Sequence, residues 1–164
     1  MKRTLALICC LLLAMGCTRD DICPEDTQTT PLLIITFKDF ANRTLSKTVP
    51  NLEVRDAENS EIVLFSVSST DSIAIPLRNF DTRTELLFVR EADTTDTDES
   101  NADRFNLLYT TEDIYLNRAC GFITNYNDLS GQLINEEGSN WLFSFEVLQT
   151  TISDDNAAHL TLFH

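Results

Sequence analysis

The side chains best suited to covalent chemistry in this sequence are its cysteines, at positions 9, 10, 17, 23 and 120. Cys17 closes the run Ala14-Met15-Gly16-Cys17. Lipoprotein processing needs small residues before the cut and a thiol after it, so that the new N-terminal cysteine can carry diacylglyceryl on its sulfur. Leu is commoner where Ala14 stands, and Ala-x-Gly also suits the general signal peptidase, so ordinary secretion is the competing reading. A cysteine at the first mature position favours lipidation. Cys9 and Cys10 leave with the leader, which isolates Cys23 and Cys120. Outside the cytoplasm a single remaining pair reads as a disulfide. The plainer alternative makes Cys120 a small buried apolar residue and leaves Cys23 free in a mobile tether.

Other candidate chemistry is weaker. The acidic segment from Glu91 to Asp103 has the carboxylates that a hard cation wants. Counted from Asp96, however, Asn101 stands where a calcium loop needs Gly and Leu107 where it needs Glu, so a solvated hairpin loop is expected. His159 and His164 are the only histidines, five residues apart, and on a strand they would point to opposite faces. With Cys23 and Cys120 they could be imagined around zinc, but no two of the four have close ligand spacing; surface histidines and a disulfide are expected instead. No Gly-x-Ser-x-Gly, phosphate-cradling glycine loop or His-Glu-x-x-His occurs. No catalytic residue, metal or cofactor is therefore expected. Trp141 and Tyr126 are the aromatics that could serve as sugar platforms, with Trp141 better suited to the core.

The elements that must position these residues are short strands. Lys2 and Arg3 precede the apolar run Leu5-Ala6-Leu7-Ile8-Cys9-Cys10-Leu11-Leu12-Leu13, the layout of a signal-peptide helix at residues 1–16 that is too short to be a membrane span. Residues 17–30 are polar and read as a lipid-anchored tether. From residue 31 to 164 one domain is expected. Residues 31–40 begin apolar on both faces, as a central strand would. Val63, Phe65 and Val67 alternate with Ser66 and Ser68, and Ile73, Ile75 and Leu77 share a face on a strand that Pro76 places at an edge. Further strands are expected at 86–89, 105–109, 114–116, 131–134, 141–148 and 160–163. Trp141, Phe143, Phe145 and Val147 would form one buried face of theirs. Thr110-Thr111-Glu112-Asp113 could cap a single helical turn. Regularly spaced strands without helices between them predict a single antiparallel β-sandwich of seven to nine strands, immunoglobulin-like or transthyretin-like.

Charge narrows the partners. The chain carries a net charge of −14, and without Lys2 and Arg3 the 10 remaining basic residues face 26 acidic ones, a net charge of −16. Nucleic acid is excluded, because phosphate binding needs clustered Lys and Arg. Attachment to the membrane must come from the lipid, since so acidic a surface repels anionic headgroups.

Several segments together resemble an uncharacterised family of Bacteroidota lipoproteins. They are Cys17-Thr-Arg-Asp-Asp-Ile-Cys23-Pro24, Thr30-Pro31-Leu32-Leu33-Ile34-Ile35, Ser69-Thr70-Asp71-Ser72-Ile73-Ala74-Ile75-Pro76-Leu77, Asn117-Arg118-Ala119-Cys120-Gly121-Phe122, Asn140-Trp141 and the stretch from His159 to His164. The likeness spans nearly all of the mature chain and implies a single-domain lipoprotein. It brings no catalytic or ligand residues. It further implies that Arg19-Asp20-Asp21 is an acidic signal for transfer to the cell surface. Asp71-Ser72-Ile73 and Asp93-Thr94-Thr95 likewise fit the O-glycosylation pattern of that phylum, and Thr94, on the acidic loop, is the better acceptor because Ser72 adjoins a predicted strand. The expectation is a lipoprotein of the outer membrane, surface-exposed on this reading, acting as a non-enzymatic interaction or accessory module with another envelope protein as its partner. A carbohydrate- or ion-binding module stands second and a hydrolase third.

Overall fold

In residues 33–38 every second side chain is apolar and bulky, and Leu33, Ile35 and Phe37 are all fully buried. That alternation makes β1 (Leu33–Lys38) the first strand of a computed structural model that describes residues 22–92, 101–135 and 140–164. The expected leader and the first five residues of the expected tether, Cys17 included, together with Thr94 and most of the acidic segment, lie outside these residues. Eight more strands follow: β2 (Val49–Asp56), β3 (Val63–Thr70), β4 (Ser72–Ile75), β5 (Arg83–Arg90), β6 (Asn101–Asn117), β7 (Gly121–Leu133), β8 (Ser144–Val147) and β9 (Leu160–Phe163). There is no helix among the described residues, so the protein is all β there.

The strands form two sheets, ordered β4-β1-β9-β8 and β3-β2-β5-β6-β7. The chain passes from the larger sheet to the smaller at Asp71, whose carbonyl accepts a hydrogen bond from Phe37 N at 2.8 Å. The expected central strand and the expected edge strand are β1, between β4 and β9, and β4, at the margin with Pro76 just beyond it. The expectation of wholly antiparallel pairing fails, because β1 and β9 are parallel, Ile35 facing Leu160 and Lys38 facing Phe163. Parallel neighbours need a long crossover, and here seven strands intervene.

Other departures have local causes. The expected strands at 105–109 and 114–116 are one continuous β6, and Thr110-Thr111-Glu112-Asp113 is extended within it rather than helical. The threonines there have β-branched side chains that favour the pleated backbone. β2 was not foreseen, because Leu52, Glu53 and Val54 are buried in succession and the alternation is lost. The break is a backbone irregularity: Asn51 sits at φ 43°, and the register against β3 shifts repeatedly. Most of β7 was also missed, its pattern being blurred by Asn125, Asn127 and Asp128, the last at φ 58°. β3 does alternate in sequence, but Val63 and Val67 are 45% and 42% exposed, since β3 is an edge strand.

The described chain falls into two compact units, residues 22–29 with Tyr115–Ile123, and Thr30–Ile114 with Thr124–His164. Within the second unit both sheets feed one hydrophobic core, a sandwich-like arrangement. A row of edge-to-face rings crosses it: Phe37 to Phe88 at 6.3 Å, Phe88 to Phe105 at 6.4 Å and Phe105 to Phe145 at 5.1 Å. Gly131 is what lets that row close. A Cβ there would lie 2.5 Å from Phe105 Cζ and 3.0 Å from Phe145 Cε2. Gly131→Ala is expected to push both rings off their rotamers and lower stability by ~1–3 kcal/mol. The shift of the urea midpoint checks this, and an unchanged midpoint would contradict it.

Candidate functional site

Cys23 and Cys120 are bonded, with Sγ–Sγ 2.06 Å and Cα–Cα 4.9 Å, inside the ~7 Å limit for a bridge. Cys120 sits in the three-residue turn between β6 and β7, shaped by Asn117 Oδ1, which accepts hydrogen bonds from Ala119 N at 2.9 Å and Cys120 N at 2.8 Å. Gly121 leaves the turn at φ 72°, a conformation glycine adopts without strain. Thr27 N donates to Pro24 O at 3.1 Å, so the segment after Cys23 is itself turned. Tyr115 and Phe122 flank this turn on the two strands, their ring centroids 5.1 Å apart. They are 58% and 66% exposed.

The histidines are not on the surface. His159 and His164 bracket β9 and are 1% and 6% exposed. His159 Nδ1 accepts from Ile34 N at 3.1 Å, which requires that nitrogen to be unprotonated, while His159 N donates to Ile34 O at 2.9 Å. His164 Nε2 lies 3.1 Å from the Lys47 carbonyl, and Lys47 Nζ donates to the His164 carbonyl at 2.8 Å. The His164 ring meets Trp141 edge-on at 5.6 Å. Burial depresses the pKa of both imidazoles below the usual value of 6.5. Sequence reasoning placed them outside because histidine alone carries no burial signal.

Neither proposed sugar platform is available. Trp141 is 3% exposed and donates Nε1 to Phe88 O at 3.3 Å. Tyr126 is fully buried, donates to Asn79 Oδ1 at 2.6 Å, and has its phenol pKa pushed up to about 12, chiefly by burial. With Tyr109, whose hydroxyl lies 2.6 Å from Thr84 Oγ1 and donates to Arg78 O at 3.0 Å, it ties down the stretch from Leu77 to Asn79. Arg78 in turn bonds Asp56 Oδ2 at 2.7 Å and Glu58 Oε2 at 2.5 Å. Burial works to raise the Asp56 pKa, but the guanidinium and the backbone N–H groups of Asn59 and Glu58 hold it low on balance. These groups are spent on architecture.

An accessible aromatic surface lies elsewhere, at the margin of β8. β8 starts at Ser144, so Phe143 precedes it and does not share a face with Trp141 as expected. Phe143 is 57% exposed, and its ring stands 5.2 Å from that of Phe40. Arg43 lies over Phe40 at 5.6 Å and over Phe163 at 4.5 Å, and donates Nη2 to Ser144 Oγ at 3.2 Å. Beside them is a groove of about 380 Å³ lined by Leu133, Asn135, Asn140, Leu142 and Phe143. Its backbone is fixed by Leu142 N donating to the buried Asp103 Oδ2 at 2.7 Å and by Asn140 Nδ2 donating to Ile134 O at 2.9 Å. Nothing in the sequence marked this surface, because periodicity reports which residues are buried and not which exposed rings gather. Ser72, at the start of edge strand β4, is exposed. No group of three or more His, Cys, Asp or Glu side chains is arranged to hold a metal among the described residues.

Fold and site together define a disulfide-bonded, two-sheet all-β protein. Residues 51–164 match the Family of unknown function (DUF6452), and since that is more than half of the chain, the protein belongs to that family. The match begins inside β2 and so omits β1, the strand between β4 and β9. No curated protein and no solved structure matches the chain.

The buried histidines give the protein an acid-sensitive stability. Their folded pKa values are lowered, so between those values and 6.5 the unfolded chain binds more protons than the folded one. Stability is therefore at full strength above about pH 6.5 and declines as the pH falls below it. Urea midpoints at pH 7.5 and 5.5 are expected to show that loss. The loss should shrink in the double variant His159→Asn and His164→Gln, whose amide groups can replace the imidazole contacts without titrating. An equal loss in the variant would contradict the assignment.

Proposed function

We propose that the protein is a lipoprotein of the bacterial cell envelope, anchored through diacylglyceryl on Cys17 and serving as a non-enzymatic interaction or accessory module for another envelope protein. The observation that carries this reading is the Cys23–Cys120 disulfide. Structural disulfides belong to oxidising compartments, and the sequence ahead of this one has the charged start, apolar run and small residues of a lipoprotein leader. The resemblance to Bacteroidota lipoproteins supports outer-membrane placement, with Arg19-Asp20-Asp21 as the export signal and Thr94 or Ser72 as O-glycan acceptor. The Phe40, Arg43 and Phe143 group suits a protein partner, since aromatic residues and arginine carry most contact energy at interfaces. The sandwich-like core is consistent with an immunoglobulin-like or transthyretin-like fold. A second reading, carbohydrate binding, is favoured by the groove beside Phe143, where an exposed ring adjoins two asparagines.

Cys17→Ala is expected to abolish incorporation of radiolabelled palmitate, and unchanged labelling would refute the anchor. Alkylation of the intact protein without reductant should leave Cys23 and Cys120 unmodified. Modification of both would remove the observation on which the envelope reading rests. Phe143→Ala separates the two roles: glycan binding lost in this variant would select the second.

A further inference from the structure

The anchor and the disulfide together decide what lies against the lipid. Six residue steps separate Cys17 from Cys23, a reach of at most ~21 Å when extended and ~13 Å as a flexible chain. Cys23 is bonded to Cys120, and Cys120 is two residues from Phe122. Without the bond, a contact that would still hold the segment is that of Thr30 Oγ1, which accepts from Thr124 N at 3.1 Å, and the lipid would reach the fold through residues 18–29. With it, only residues 18–22 separate the lipidated position from a cysteine bonded to the turn between β6 and β7.

That turn presents Tyr115 and Phe122 as a contacting pair of rings, 58% and 66% exposed, and Ile22, adjoining Cys23, is 82% exposed. Alternation along β7 buries Ile123 at 5% exposure and turns Phe122 outward, so the outward ring is not a residue left over from a core face. Tyr carries an apolar body and a hydroxyl tip, the combination enriched where bilayer meets water. Arg118, at the crest of the turn, is exposed and has the charge to meet lipid phosphate. Glu25 and Asp26 oppose attraction to anionic headgroups, so the contact is apolar and suits a zwitterionic bilayer.

We infer that Tyr115, Phe122 and Ile22 form a membrane-contacting surface, inserted into the bilayer interface beside the lipid anchor and held there by the Cys23–Cys120 bond. The inference rests on the lipid-anchor reading. The tether supplies a high local concentration of bilayer, so contacts too weak to bind a membrane alone suffice once the lipid is in place.

Depth-sensitive fluorescence tests it. Full-length lipidated Phe122→Trp protein is reconstituted in phosphatidylcholine vesicles with or without bromine on the upper acyl chains. The wild type supplies the background, because Trp141 is 3% exposed in the core. A ring ~5–10 Å into the interface should be quenched about two-fold or more by the brominated chains. Tyr115→Trp gives the same measurement should Phe122→Trp fold poorly. Replacing Cys23 and Cys120 with Ser in the Phe122→Trp protein should weaken the quenching. Equal emission in both vesicle types, with palmitate present on Cys17, overturns the surface while leaving the anchor standing. Absence of palmitate from Cys17 overturns both.

Discussion

The smaller sheet is held together by four residues, Leu160–Phe163, buried on both faces and hydrogen-bonded to β1 on one side and β8 on the other. Without β9 there is no connection between β1 and β8, and β1 keeps only β4 as its neighbour. The partners are far apart in sequence: Thr36 and Thr161, 125 positions apart, share a hydroxyl contact at 3.0 Å. Bringing such distant segments together costs loop-closure entropy, which local hairpins such as β5-β6-β7 do not incur to the same degree. The return comes from complete burial, Leu160, Leu162 and Phe163 each being at most 1% exposed. His159 and His164 close the two ends of this strand with main-chain hydrogen bonds; His159 must stay neutral because its Nδ1 accepts one, whereas for His164, which faces the Lys47 carbonyl, it is burial that disfavours the charged form.

Much of that construction was legible where one periodicity governed the whole element. β4 follows period two, with Pro76 marking the margin by lacking a donor, and β1 is legible from an apolar, β-branched start on both faces that suits a strand between two others. The cysteine pair was legible by elimination, since on the lipoprotein reading processing would remove two thiols and lipid would occupy a third. Legibility ends where the backbone departs from a regular pleat. The positive φ at Asn51 and Asp128 hides β2 and most of β7 from a pattern search. It ends also where polar residues lie on a strand because their partners are polar. Thr124 Oγ1 donates to Asp113 Oδ1 at 2.8 Å, a cross-strand pair that a single segment cannot announce. The parallel pairing of β1 with β9 is of this kind as well, for it depends on two segments and is written in neither.

The surface sites were the least legible. Phe143 reads as core because it alternates with Trp141 and Phe145, yet the strand begins one residue after it and its ring is free to meet Phe40. Tyr115 and Phe122 likewise look like ordinary strand aromatics, and only their pairing across the turn shows a patch. A sequence reports hydrophobicity, whereas an interaction surface is hydrophobicity that the fold declines to bury.

The ionisable groups point the same way as those rings. Asp56 is held by Arg78 and by two backbone N–H groups. His159, His164, Tyr109 and Tyr126 are each committed to backbone or side-chain partners that fix a strand end or a loop. A catalytic acid or base needs its proton to be exchangeable with a substrate, and a buried group whose polar atoms already hold the chain together can offer none without loosening the fold. The exposed features described above are rings and an arginine laid over rings, and on the lipoprotein proposal the disulfide shortens the path from the anchor. In the proposed role these residues work by attachment: the disulfide fixes which part of the chain meets the membrane, and the paired aromatics supply the contact.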